Sequence, residues 1–569
     1  MISLRSLVAL FAVATVLVLS HPVLGAEEPA KKTEAAKKDA PSPSPAGTTR
    51  TTELVVMHDG TKLSTDVLRA EDAAGPQPVI FARGPYGKAG VAGIAPIVCK
   101  RGYTLVIQDM RGRYESTGND GPVFHNDGWS ANRDGQESME WIAKQPWCNG
   151  NIATWGGSAL GITQVLAAPG APEQLRAQYV QVAFSDMYSQ CAYQGGVWRT
   201  ELIEAWLKGT KFSPASLETF VAHPKYDDFW AATNAEAQAA RVNSPGIFWG
   251  GWYDIFCQGT INSFVTIHNN GGDKARGKCR LIMGPYAHGT FSQLKYPLNS
   301  MRPPAAADAF RYFDHFLKGE KNGVAEDKPV HYYVMGDTTD SAAPGNFWRE
   351  ADNWPPPSTE TKFYFHSDKS LSKEAPASAD GSLSYQYDPK NPVPTRGGQN
   401  LTIPKGPEDQ KELETRPDIL VFTTEALPEP VEVTGRIFGK LHISSDCPDT
   451  DFTVKLTDVY PDGRSMLVTD GILRARFRNG FEREEFLTAG ETYELTVDLW
   501  STSLIFNKGH KIRVAVSSSN STRFDPNPNT GKPFRADNET RVANNTLHVS
   551  KTHPSHIILP IYTDRVARP

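Results

Sequence analysis

One change of rhythm constrains this chain more than any other feature. From Thr51 to about residue 330, short apolar runs alternate with helical stretches; beyond that point the runs continue but long helices stop. The first half holds "PVIFARG", "YTLVIQDMRG", "NIATWGGS", "AQYVQVAFSD", "GIFWGGWYD" and "CRLIMGPYAH", preceded by an alternating stretch whose Asp59-Gly60 reads as a hairpin turn. Strands separated by helices predict an α/β domain with a mostly parallel sheet. In such sheets, reactive side chains belong at the carboxyl ends of strands. Asp109, Ser158, Asp186, Asp254 and His288 all fall there.

The second half, with "KPVHYYVMG", "VEVTGRIFGKLHISS" and "HKIRVAVSSS" among its strands, predicts an all-β sandwich, expected to be a jelly roll. The change falls at about residues 330 to 360, so the expected domains are 51–330 and 331–569. Residues 189–243 interrupt the first domain with helical sequence carrying Trp198, Trp206, Phe220 and Trp230. An insertion at the reactive edge of a sheet is placed to act as a cap, and aromatic walls suit small-molecule sites.

Before Thr51 the chain has another character. Residues 1–26 carry Arg5, an apolar run and small residues at Gly25 and Ala26, the layout of a secretory signal peptide. The run is short for a bilayer span, so no integral span is expected after cleavage. Residues 27–50 are rich in Ala, Lys, Pro and Ser and predict a disordered tether. The expected location is therefore extracytoplasmic, either periplasmic or secreted. A net charge of −5 in 569 residues excludes a charge-driven binder of nucleic acid. Six cysteines lack C-x-x-C spacing, which gives no zinc signature; disulfides and buried thiols both remain open.

The chemistry centres on Ser158 in "WGGSALG". A serine hydroxyl needs a base within hydrogen-bond reach and a group that orients that base. After Ser158, successive strands end in Asp254 and His288, giving the chain order serine, acid, histidine. Asp254 also suits a helix cap, and His288 by itself suits a surface loop. His268 and His315 lack a strand-end setting and read as structural. Oxyanion donors are expected at the Ala159 amide and in the loop "FARGPYGKAG", where Tyr86 offers a phenol; spacing equally allows Tyr86 to pack on the turn. Arg111 is expected to brace the site through an acid. The Asp-rich loops "SDCPDTDF" and "RFDPNPNTG" do not match a calcium loop and read as turns.

The blocks "GPYGK", "QDMRGRYESTG", "WCNGNIATWGGSALGITQ", "HPKYDDFW", "GGWYDIF", "GPYAH", "FDHFLKG" and "GHKIRVAVSSSNSTRFDPNPNTG" resemble the CocE/NonD hydrolases, relatives of the Xaa-Pro dipeptidyl-peptidases. The resemblance runs through nearly all of residues 51 to 569. It implies an α/β-hydrolase core, an inserted helical cap and a C-terminal jelly roll. It also implies a triad of Ser158, Asp254 and His288, with Tyr86 and Ala159 as oxyanion donors. The family's turn resembles G-x-S-Y-x-G, and alanine stands here in place of tyrosine, which alters the pocket wall.

These readings converge on an exported serine hydrolase acting on a small ester, amide or short peptide, with no metal or other cofactor required. An esterase or acylase is expected. An Xaa-Pro dipeptidyl-peptidase is the alternative, and it needs a carboxylate for the substrate's amine; Glu201, Glu204, Asp227 and Asp228 are candidates in the cap. A carbohydrate- or surface-binding protein built on the jelly roll is the alternative of a different class. Oligomeric state is not encoded in any of these features.

Overall fold

The structure is a computed structural model that describes residues 44–288 and 296–563. The expected signal peptide and most of the tether, up to residue 43, lie outside the described residues. β1 (Thr48–Val56) and β2 (Lys62–Ala70) form the hairpin around Asp59-Gly60, with Val56 opposite Lys62. Thr48–Arg50, expected within the tether of residues 27–50, instead pair with Leu68–Ala70. β1 is a largely exposed edge strand whose threonines favour extended backbone without making an apolar stripe. Hydrophobic pattern therefore misses its start.

The remaining strands build one large sheet. They are β3 (Gln77–Gly84), β4 (Thr104–Asp109), β5 (Cys148–Gly157) and β6 (Leu175–Gln181). After a short ribbon, β7 (Tyr193–Gln194) and β8 (Val197–Trp198), come β9 (Gly246–Tyr253) and β10 (Arg280–Ala287). The spatial order is β1-β2-β4-β3-β5-β6-β9-β10, continued by β11 (Val330–Val334) and β12 (Phe347–Ala351). From β4 through β11, neighbours are parallel. The last two strands were placed by the sequence in the second domain, beyond residue 330. Alternation marks a strand but not its partner, and here β11 pairs with β10.

The sheet is covered on both faces, which explains its continuous apolar runs. Side chains alternate between the layers. Val79 and Phe81 of β3 pack with Met139 and Ile142 of the helix Asp134–Ala143. Ile80 and Ala82 pack on the other side with Phe310 and Phe313 of the helix Ala309–Lys318. The insertion folds as the helices Thr200–Gly209, Ala215–Ala222 and Asp228–Ala231, and buries Leu202, Ile203, Phe220 and Trp230 in the main core.

The C-terminal region is built from sheets of antiparallel strands, one of seven strands and one of four. Val433, Leu441 and Ile443 of the first share a core with Val454, Leu456 and Val514 of the second. The Asp-rich loops do more than turn. Asp449 and Asp451 of the first loop receive Asn527 of the second at 2.7 and 2.8 Å. They also pair with Arg476 and Arg474. All six cysteines are free and buried. Among the described residues, no helix is long and apolar enough to cross a membrane.

Candidate active site

Ser158 sits where β5 turns directly into the helix Ala159–Ala167, with φ 55° and ψ −126°. A non-glycine residue in that region is strained, by about 1–3 kcal/mol, and persists only where its surroundings fix it. Two glycines make the turn possible. A Cβ on Gly156 would lie 2.4 Å from the Leu160 Cβ, and one on Gly161 would lie 2.7 Å from the Gln181 carbonyl. The spacing of glycines around this serine thus reflects the close approach of helix to sheet. It leaves Ser158 at the carboxyl end of β5 and at the positive end of the helix that follows.

Asp254 follows β9 and His288 follows β10, so parallel neighbouring strands deliver them side by side. The His288 Nδ1 lies 2.6 Å from Asp254 Oδ2, and its Nε2 lies 3.1 Å from Ser158 Oγ. Asp254 is fully buried, and its other oxygen accepts the Phe256 amide at 2.7 Å. That bond forms a local turn ahead of the helix Cys257–Asn270, whose cap position is Phe256, so Asp254 is not its cap. With its second oxygen fixed, the carboxylate keeps one lone-pair direction for the imidazole.

Tyr86 and Ala159 complete the group. The Tyr86 hydroxyl is in hydrogen-bonding contact with Ser158 and with the Ala159 amide, and it accepts from the Trp206 indole at 3.1 Å. Burial raises the phenol's pKa above its ordinary value, outweighing those three bonds, so the group stays a protonated donor. Trp206 stacks on Phe124 at 5.7 Å, and Phe124, Phe184 and Phe256 continue edge to face towards His288. The cap is thus coupled to the site through an aromatic wall. Trp206 was visible as a cap aromatic; its bond to Tyr86, across 120 positions of sequence, had no local signal.

The other residues singled out by the sequence lie elsewhere. Arg111 pairs with Asp134 at 2.7 Å and Asp59 at 2.5 Å, joining the loop after β4 to the first hairpin. Asp109 meets Lys88 at 3.3 Å, and burial pushes its pKa up to about 6. Asp186 binds the Tyr188 amide and the Ser189 hydroxyl, with its pKa also raised by burial to about 6. His268 packs on Phe264, and His315 meets the Glu320 carbonyl. The cap carboxylates are engaged by other groups or exposed. Glu201 accepts the amides of Leu401, Thr402 and Ile403; Glu204 holds Arg535 and Trp198; Asp227 holds His223; Asp228 is exposed. Among the described residues, no cluster of side chains suited to a metal ion occurs.

A serine on a strained strand-to-helix turn, with an acid and a histidine at later strand ends of this sheet order, defines an α/β-hydrolase. Comparison with known proteins narrows the class. The X-Pro dipeptidyl-peptidase (S15 family) profile matches residues 59–215 and 206–290, and the X-Pro dipeptidyl-peptidase C-terminal non-catalytic domain profile matches residues 322–558. The chain is 32% identical to a cocaine esterase from Rhodococcus sp. (strain MB1 Bresler), over 89% of this chain and 97% of that protein. Among solved structures, an aminopeptidase from a marine sediment archaeon (Thaumarchaeota) superposes with a TM-score of 0.77 at 24% identity, covering 93% of this chain and 99% of the other. A CocE/NonD family hydrolase from Staphylococcus aureus gives 0.71 at 20% identity, covering 90% and 94%. The chain belongs to the CocE/NonD family of serine hydrolases.

Proposed function

We propose that the protein is an exported hydrolase that cleaves an acyl ester or acyl amide through Ser158, His288, Asp254 and a covalent acyl-enzyme. The observation that carries this reading is the double contact of His288, 2.6 Å to Asp254 and 3.1 Å to Ser158. His288 takes the Ser158 proton as Oγ attacks the substrate carbonyl carbon. Asp254 holds the imidazole tautomer and stabilises the imidazolium. The Tyr86 hydroxyl and the Ala159 amide, now bonded to each other, turn to the oxyanion of the tetrahedral intermediate. On collapse, His288 gives the proton to the departing alcohol or amine. Water, deprotonated by His288, then attacks the acyl-serine and releases the acid.

An ester is favoured over a peptide by the state of the cap carboxylates. A dipeptidyl-peptidase needs one free to hold an amine; Glu201, Glu204 and Asp227 are already taken, and Asp228 is exposed to solvent. The aromatic wall from Trp206 to Phe256 suits an apolar acyl group. The relationship to a protein named for its esterase activity points the same way. Export rests on the layout of residues 1–26, and a mature chain beginning near residue 27 is its check. The direct test is a fluorophosphonate. It labels Ser158 and abolishes turnover, while an aryl acetate is cleaved faster than an Xaa-Pro anilide. Label on another residue, or none, removes the proposal; preference for the anilide reverses the substrate choice.

A further inference from the structure

One loop of the second half of the chain reaches the reaction centre. Between Gly398 and Gly406, whose backbones bond reciprocally at 2.8 and 2.9 Å, the chain closes into a small strap. Asn400 stiffens it from inside, donating to the carbonyls of Gly397 and Pro404 at 2.8 and 2.7 Å. The strap is fastened to each part of the site in turn. Gln399 donates to the Trp252 carbonyl at 3.2 Å, two residues before Asp254. Glu201, on the cap, accepts the amides of Leu401 to Ile403. Arg199, also on the cap and buried, donates to the Gln399 carbonyl at 3.3 Å and to that of Ile255, next to Asp254, at 3.1 Å.

Lys405 ends this strap. Its Nζ donates to the backbone carbonyl of His288 at 3.1 Å and to that of Leu401 at 3.0 Å. His288 is the first residue past β10, where the strand's own ladder no longer holds the chain. A bond to its carbonyl fixes the peptide plane from which the imidazole hangs. The ammonium is half-buried and, among the described residues, shares no ion pair; Asp254 and Glu201 act on it through their fields, and burial works against its charge. A lysine kept in such a place for surface solubility has no reason to point inward. A lysine that sets the height and tilt of a histidine does.

We propose that Lys405 is a positioning residue for His288, so that the C-terminal domain takes part in building the reaction centre. This goes beyond the description of the matched domain as non-catalytic, and it rests on the proposed triad. A misplaced base of about 1 Å can lower turnover some 100-fold without touching the substrate. The binding wall, made of Trp206, Phe124, Phe184 and Phe256, is contributed by other segments. Loss of the ammonium therefore acts on kcat and leaves KM.

The test compares Lys405→Met with wild type and with Lys390→Met, an exposed lysine of the same domain. With an aryl acetate, Lys405→Met is expected to lower kcat about 10- to 100-fold at unchanged KM and melting temperature. The acidic limb of its kcat/KM profile moves to higher pH, because a positive charge near the imidazolium has been removed. Lys390→Met behaves as wild type. Undiminished kcat with an unmoved limb overturns the proposal, as does a loss expressed in KM alone. If Lys405→Met does not fold, Lys405→Gln, which keeps a shorter donor, is judged by the same two readouts. Fluorophosphonate separates the failures: an unlabelled wild type defeats the triad, whereas a labelled wild type beside a fully active Lys405→Met defeats only the role of Lys405.

Discussion

Two buried polar clusters in this molecule use the same materials to opposite ends. In the C-terminal domain, Asp449 and Asp451 face Arg476 and Arg474, and Asn527 spans the carboxylates. Charge meets opposite charge, and each Arg474 nitrogen that points at Asp451 finds an oxygen, at 2.9 and 3.0 Å. Burial raises the Asp451 pKa, and the arginine beside it works the other way. At the sheet edge, Asp254 faces a histidine, and the chain of bonds ends on a hydroxyl beside two donors, the Tyr86 phenol and the Ala159 amide. The first cluster is closed and has nothing left to offer a ligand. The second gathers two donors beside one hydroxyl, which is the arrangement an oxyanion needs.

That contrast can be broken most violently at Ser158. Ser158→Ala is expected to reduce turnover by about 10⁴- to 10⁶-fold, with a melting temperature at or above that of wild type, because the hydroxyl supports no packing. Steady-state kinetics and calorimetry on the same preparation decide it. Asp451→Ala should do the reverse. It strands Arg474 in the interior and costs about 3–5 kcal/mol of stability, read from the urea midpoint, with kcat per folded molecule unchanged. Equal loss of activity and stability in both variants would erase the distinction between the clusters.

Tyr86→Phe sharpens it. The ring remains against Trp206 while the donor disappears, so kcat is expected to fall about 100- to 1,000-fold with little change in KM. The smallest effect concerns the junction of the two halves, where His510 lies 2.9 Å from Asp458 and 3.4 Å from Asp337. Burial opposes its charge, but the bond to Asp458 and the field of both carboxylates outweigh burial and raise its pKa. A raised folded value means that the contribution is complete below about pH 6.5 and is lost as pH rises through the folded value. His510→Gln should therefore lower the melting temperature by about 2 °C at pH 6 and by less at pH 9. A gap that widens with pH would reverse the sign.

The site was readable where its parts are strand ends and opaque where they are distant loops. Ser158, Asp254 and His288 each terminate an apolar run, and parallel pairing of β9 with β10 guarantees that such ends meet. The strap at 398–406 has no such mark. "GGQNLTIPKG" lacks periodicity, and its contacts with Glu201 and His288 bridge 200 and 117 positions. Sheet membership had the same limit, since β11 and β12 alternate like sandwich strands while completing the first sheet. The Asp-rich loops looked like turns because each is half of a cluster whose other half lies 76 to 78 residues away in the chain.

The six free cysteines give the molecule an internal record of its own opening. Each is buried, and burial lifts every thiol away from the reactive thiolate, to about 11 for Cys99 and about 12 for Cys191, Cys279 and Cys447. A water-borne disulfide reagent therefore waits on breathing of the chain. Five of these sulfurs lie in the first half and Cys447 alone in the second. Counting modified sites against denaturant would tell which half lets go first, with no residue changed.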